Sequence, residues 1–132
     1  FNEIEDVKSI KLRLDENWIG LNEHLFELAE LEFDYSKRLI YLCKMAEIYE
    51  HKLNDQECAF IVYQAALKDD YTNIKIAQEV NRLASSLKSF KSLIKEYSKM
   101  PSMIEKFDIH QSNALKKLLK KWKLNLAKND QK

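Results

Sequence analysis

Apolar residues return along this chain in short rows spaced three residues apart. Ile4, Val7 and Ile10 form the first row, Leu42, Met45 and Ile48 the second, and Ala77, Val80 and Leu83 the third. A second kind of row, spaced three, four and three, follows each of them. It reads Trp18, Leu21, Leu25 and Leu28, then Gln56, Ala59, Tyr63 and Ala66, then Phe90, Leu93, Tyr97 and Met100. The first rows are displaced by 38 and then 35 residues, the second by 38 and then 34, with Gln56 the one polar break. Residues three and four apart share a helix face, so each row predicts an amphipathic helix and each pair of rows a helical hairpin. Self-similarity at a fixed period of this size is the mark of a helical repeat.

Short polar stretches part the rows. Within hairpins they are Asp15 to Asn17, Asn54 to Asp55 and Lys88 to Ser89, and between hairpins Phe33 to Ser36, Asp69 to Asn73 and Met100 to Ser102. Asn, Asp and Ser there offer side-chain oxygens to cap the exposed amides of the next helix. The pattern predicts helices over 2–14, 17–32, 36–53, 56–69, 73–87, 89–99 and 111–128, about seven in all, with 101–111 unassigned. These make hairpins over about 2–32, 36–69 and 73–99 and a capping helix over 111–128, in one all-α domain spanning 1–132. The expected core includes Met45, Ile48, Tyr49, Ala59, Val62, Tyr63, Ala66, Val80 and Leu83.

From Arg38 to Asp70 the chain reads RLIYLCKMAEIYEHKLNDQECAFIVYQAALKDD, with Leu42, Ala46, Tyr49, Cys58 and Ala65 at a recurring spacing of large, small, aromatic, small and small residues. This stretch resembles the tetratricopeptide repeat family. Antiparallel helices approach closely only where small residues sit at the crossing, and Tyr49 is suited to fill the wedge toward the next hairpin. Elsewhere the pattern drifts: Asn81 stands where a small residue is expected, Ala84 replaces the aromatic, and Asp70 replaces the usual Pro. The resemblance implies a right-handed superhelical stack of antiparallel helix pairs, an α-solenoid acting as a protein-binding scaffold or adaptor. It puts Ile40, Cys43, Glu47 and Glu50 on the groove side of one hairpin and Lys75, Gln78 and Arg82 on that of the next. The groove is mixed in charge and is expected to take a helix or peptide of a partner protein.

Composition agrees with an all-helical chain, because one Gly and one Pro in 132 residues leave little material for tight turns. Acids and bases nearly cancel, to a net charge of +1, so no global field draws the chain to nucleic acid. Cys43 and Cys58 fall in apolar helical stretches and read as buried thiols, which favours a reducing, cytoplasmic setting. No apolar run long enough for a bilayer occurs. Beginning at Phe1 and ending in a polar lysine-rich tail, the chain reads as a domain excised from a longer protein.

Chemistry is harder to find. His24, His51 and His110 are far apart, and no Cys-x-x-Cys pair is present, so neither a metal nor a cofactor is expected. Glu47, Glu50 and His51 form the nearest approach to a ligand cluster and read as a solvated helix face. A single Gly argues against phosphate cradles and strained nucleophile turns, and the chain is not expected to be an enzyme. The most biased segment is the last predicted helix. Leu115, Leu118, Leu119, Trp122 and Leu126 form one face there, and Lys116, Lys117, Lys120, Lys121 and Lys123 cover the rest.

That helix has two readings. Leu115, Leu118 and Trp122 lie 38 residues after Ala77, Val80 and Ala84, so it can open a fourth repeat and cap the third hairpin. Alternatively the chain is a closed bundle in which those five lysines and Trp122 bind an anionic membrane surface or nucleic acid. Glu23, Glu27, Glu30, Glu32 and Asp34 cluster on the second predicted helix, far in sequence from the lysines. That polarity can support self-association between copies, and scattered solubilising charge explains it equally.

Overall fold

In the computed structural model, residues 5–130 are described, with side chains to residue 128. Ile4, which opens the first row, and the start of the predicted helix 2–14 lie outside the described residues. Among the described residues every regular element is a helix. They are α1 (Val7–Leu14), α2 (Trp18–Leu31), α3 (Tyr35–His51), α4 (Gln56–Asp69), α5 (Ile74–Leu87), α6 (Phe90–Tyr97), α7 (Met100–Ile104) and α8 (Ile109–Asp130). The short α7 carries Pro101 in its first turn, where the missing amide costs nothing, and occupies part of the unassigned stretch. α1 starts later than expected, because Asp6 is its N-cap and accepts the Ser9 amide at 2.8 Å.

Side-chain caps account for most helix starts. Asn17 accepts from Gly20, Asp34 from Ser36 and Lys37, Asp55 from Cys58, Asn73 from Ile76, and Asp108 from His110 and Gln111. Ser89, expected to cap α6, makes no such bond; its hydroxyl donates instead to the Leu87 carbonyl at 3.2 Å.

The joints inside the three expected hairpins repeat in the backbone as well. Among the described residues, those with positive φ are Glu16 (55°), Asn54 (53°) and Lys88 (55°), one in each joint and separated by 38 and then 34 residues. At the first joint the Asn17 amide donates to Leu12 and that of Glu16 to Arg13; at the third, Ser89 donates to Ala84 and Lys88 to Ser85. Both are left-handed helix ends of the Schellman type. The middle joint is wound differently, with the Asp55 amide reaching the Tyr49 carbonyl at 2.7 Å.

A side chain with a Cβ pays for this conformation, Asn least of all. Glu16→Gly and Lys88→Gly are therefore expected to stabilise the protein by about 0.5–1 kcal/mol each after the added freedom of the unfolded chain is offset, and Asn54→Gly by less. Denaturant midpoints for the three variants test this ranking.

The chain divides into two compact units, Phe1–Ala66 and Leu67–Lys132. In the first, α2 packs closely against α3, and α1 leans on α2. Leu21, Leu25 and Ala29 of α2 and Tyr41, Leu42, Met45 and Ala46 of α3 are buried. Polar ties fix the same helices. Asn22 donates to the Met45 carbonyl at 3.3 Å, Arg38 to the Ala29 carbonyl at 2.9 Å, and buried His24 meets the Asp6 carboxylate at 2.8 Å. On α4 the fully buried small residues are Ala59 and Ala66, one position beyond the expected Cys58 and Ala65, which are half-buried. Val7, a member of the first apolar row, is 83% exposed, since among the described residues of this unit α1 has close packing only with α2.

The second unit is organised around α8, which packs on α6 and α7 and touches α5. Leu115, Leu119 and Trp122 turn inward and are buried with Phe90, Leu93 and Tyr97 of α6 and Val80 and Leu83 of α5. Three rings stack edge to face: Tyr71 on Tyr97 at 6.5 Å and Tyr97 on Trp122 at 5.6 Å between centroids. Burial drives the Tyr97 hydroxyl far above its ordinary pKa, with Glu96 and Tyr71 adding to the effect. The buried Ser112 hydroxyl donates to the Pro101 carbonyl at 2.8 Å, tying α8 to α7. The expected core residues Met45, Ala59, Tyr63, Ala66, Val80 and Leu83 are buried, while Ile48, Tyr49 and Val62 are half-buried.

Candidate functional site

α1 and α3 both pack on α2, and among the described residues they make no comparable close approach to each other. The result is a cleft of about 710 Å³ in the first unit, open between α1 and α3 and floored by α2. The floor is apolar, with Trp18, Leu21 and Leu25 from α2 and Ile48 from α3. Its rim alternates in charge: Glu5, Arg13 and Glu16 stand on the α1 side, and Lys44, Glu47, His51 and Lys52 on the α3 side.

Two contacts shape this rim. The Arg13 guanidinium grips the Glu5 carboxylate through two bonds of 2.9 and 3.1 Å. The bond from Arg13 is the main reason the Glu5 carboxyl sits below its ordinary pKa, outweighing the slight opposing effect of burial, and Lys44 adds attraction. Across the cleft the Lys52 ammonium lies 5.0 Å from the centre of the Trp18 ring, within cation–π range. Trp18 is partly exposed, so part of its ring remains open at the cleft. Such a site can bury an apolar side chain and pair with charges of either sign.

The floor depends on how α1 is seated. Asp6 both caps α1 and meets His24 of α2. Burial raises the Asp6 pKa, but the neighbouring Ser9, whose amide donates to the carboxylate, and the contact with His24 outweigh it and hold it at about 2, against an ordinary 3.8. A depressed acid contributes stability that is complete above its unfolded pKa and is lost as pH falls through the folded one. The stability gap between the protein and Asp6→Asn, which keeps a capping oxygen but no charge, is therefore expected above about pH 4 and to close toward pH 2. Thermal melts from pH 5 to 2 follow it.

Of the seven expected groove residues, Glu47 lines this cleft, while Ile40, Cys43 and Glu50 belong to the same unit without lining it. The face of α3 that does so, Tyr41, Lys44 and Ile48, is the expected row rotated by one residue. Glu50 stands 3.8 Å from exposed His51. Lys75, Gln78 and Arg82 belong to the second unit, where Gln78 lines another cleft, Lys75 is exposed, and Arg82 pairs with Glu79 at 2.6 Å. Trp18, Arg13 and Lys52 lie outside the expected groove set; the signal for the first is a Trp in the row position that Gln56 and Phe90 hold in the other copies.

The basic set on α8 divides. Lys116, Lys117, Lys120, Lys121 and Lys123 are exposed, but Trp122 is fully buried against Tyr97 and has no surface to offer a membrane or a base. No group of His, Cys, Asp and Glu able to hold a metal occurs among the described residues. No described helix is long and apolar enough to cross a membrane. Against protein-family models, curated proteins and solved structures, the chain finds no match.

Proposed function

We propose that the chain is a tetratricopeptide-like scaffold or adaptor module that receives a segment of a partner protein in the α1–α3 cleft. The observation that carries this reading is the cleft itself: two helices held apart over an apolar floor containing a half-exposed Trp, with charges of both signs on the rim. That is the anatomy of a peptide groove, in which a buried aromatic anchor supplies affinity and the polar rim supplies register. The spacing of Glu16, Asn54 and Lys88 supports the repeat half of the proposal, since each of the three joints carries one left-handed residue at the period of the apolar rows. On this reading α8 opens a fourth repeat, and the hairpins form a right-handed superhelical stack. Cys43 and Cys58 are half-buried in helices α3 and α4, which suits small packed thiols of a reducing compartment, and cytoplasmic residence belongs to the proposal.

Affinity capture from a lysate, with a Glu47→Arg, Lys44→Glu variant run beside the unaltered protein, tests the function. Both positions lie on the cleft rim, Glu47 exposed and Lys44 half-buried, so the variant keeps its fold by circular dichroism. A protein recovered by the parent and lost by the variant supports the reading. Identical recoveries overturn it.

A further inference from the structure

A second cleft, of about 570 Å³, lies between α5 and α8 inside the second unit. Its chemistry differs from that of the first. Lys117, Lys121 and His110 stand on its α8 wall, and no carboxylate lines it. Neither lysine has an ion-pair partner among the described residues, and both are exposed. Asp70, next in sequence to the lining residue Tyr71, has its carboxylate taken up by the Thr72 amide at 3.0 Å and the Gln111 side chain at 2.7 Å. No carboxylate therefore pairs with the lysines of this cleft among the described residues.

The rest of the lining narrows the ligand. Gln78, Asn81 and Asn113 supply side-chain amides, which can both donate to and accept from an extended peptide backbone. Asn125 donates to the Asn81 oxygen at 2.7 Å and so leaves the Asn81 nitrogen as a donor. Ile74, 72% exposed, offers an apolar ledge at the mouth. Nucleic acid without sequence preference is held by a platform of exposed rings on which successive bases stack; of the rings lining this cleft Tyr71 and Trp122 are buried, and the small imidazole of His110 alone is exposed. A membrane would need the apolar face of α8, and Leu115, Leu119 and Trp122 have spent it inside the unit.

We infer that the α5–α8 cleft is a second binding site, for an extended acidic segment of a partner protein, paired through Lys117 and Lys121. It goes beyond the α1–α3 reading and stands or falls separately. The probe is a fluorescent peptide of about ten residues alternating Glu and Leu, capped at both ends, beside its Gln counterpart and a single-stranded oligonucleotide of equal charge. Anisotropy is read with the full chain, with Lys117→Ala/Lys121→Ala, and with Lys123→Ala/Lys128→Ala, which removes the same charge outside the cleft. The expected result is binding of the Glu peptide about tenfold tighter than the Gln peptide, a loss of about tenfold in the first double variant, and less than about twofold in the second. Absent binding, equal losses in both double variants, or tighter binding of the oligonucleotide would overturn the inference.

Discussion

Trp122→Ala is expected to destabilise the second unit by about 3–5 kcal/mol, the range for emptying a fully buried aromatic site. Trp122 has no exposed surface and closes the line of rings that runs through Tyr97 to Tyr71, so its removal strips the inner face of α8 of its largest contact. The companion variant separates packing from hydrogen bonding. The Trp122 Nε1 group is buried without an acceptor among the described residues, and an orphaned donor of this kind costs about 1–3 kcal/mol. Trp122→Phe removes that donor and leaves a smaller ring, so the two effects offset and the net change is expected within about 1 kcal/mol. Denaturant melts, with hydrogen exchange to localise the loss to α5 through α8, read both results.

The second large effect is on binding. If Trp18 is the aromatic anchor of the α1–α3 cleft, Trp18→Ala weakens a captured partner by about 2 kcal/mol, roughly 30-fold, as truncation of a central aromatic does. Because Trp18 is partly exposed, the accompanying loss of stability should fall below that of emptying a fully buried aromatic site, at about 1–3 kcal/mol, and circular dichroism first establishes that the variant is folded before it is compared with its parent. Lys52→Ala, which uncovers the Trp18 ring without shortening the floor, is expected to cost less than Trp18→Ala. Titration of the captured partner with each variant gives the order.

Much of this fold is legible in the rows of apolar residues. Leu21, Ala59 and Leu93 are equivalent in the repeat and all buried, as are Leu25, Tyr63 and Tyr97, because a helix period fixes which residues travel together to one side. Asn17 and Asp55 announce the starts of α2 and α4 through their side-chain oxygens. What the period leaves open is rotation. One residue is about 100° of helix, so a spacing can be right and still sit one position from the true contact. The apolar rows place Ala59 and Ala66 correctly as the fully buried pair; the one-residue error belongs to the family spacing, which points to Cys58 and Ala65 and, on α3, to Ile40 and Cys43 where the cleft face is Tyr41, Lys44 and Ile48.

The missed site residues share a different cause. Arg13 is placed by Glu5, and Lys52 by Trp18, 34 positions earlier in the chain, so neither pairing follows from the pattern of any single helix. Asp6 was hidden because the apolar row begins before it, at Ile4, which drew the predicted helix too far toward the N-terminus. On α8 the lysines were plain, but the alternation of Leu and Lys is the same whether the apolar face meets lipid or protein. Only the burial of Leu115, Leu119 and Trp122 separates these cases.

The most direct measurement is the amide and indole spectrum of the isotope-labelled protein as a captured partner segment is added. Occupancy of the α1–α3 cleft predicts that the Trp18 indole and the amides of Arg13, Lys44 and Ile48 shift together and saturate together, while the Trp122 indole stays in place. Shifts confined to α8, with the Trp18 indole unmoved at saturation, would contradict the account.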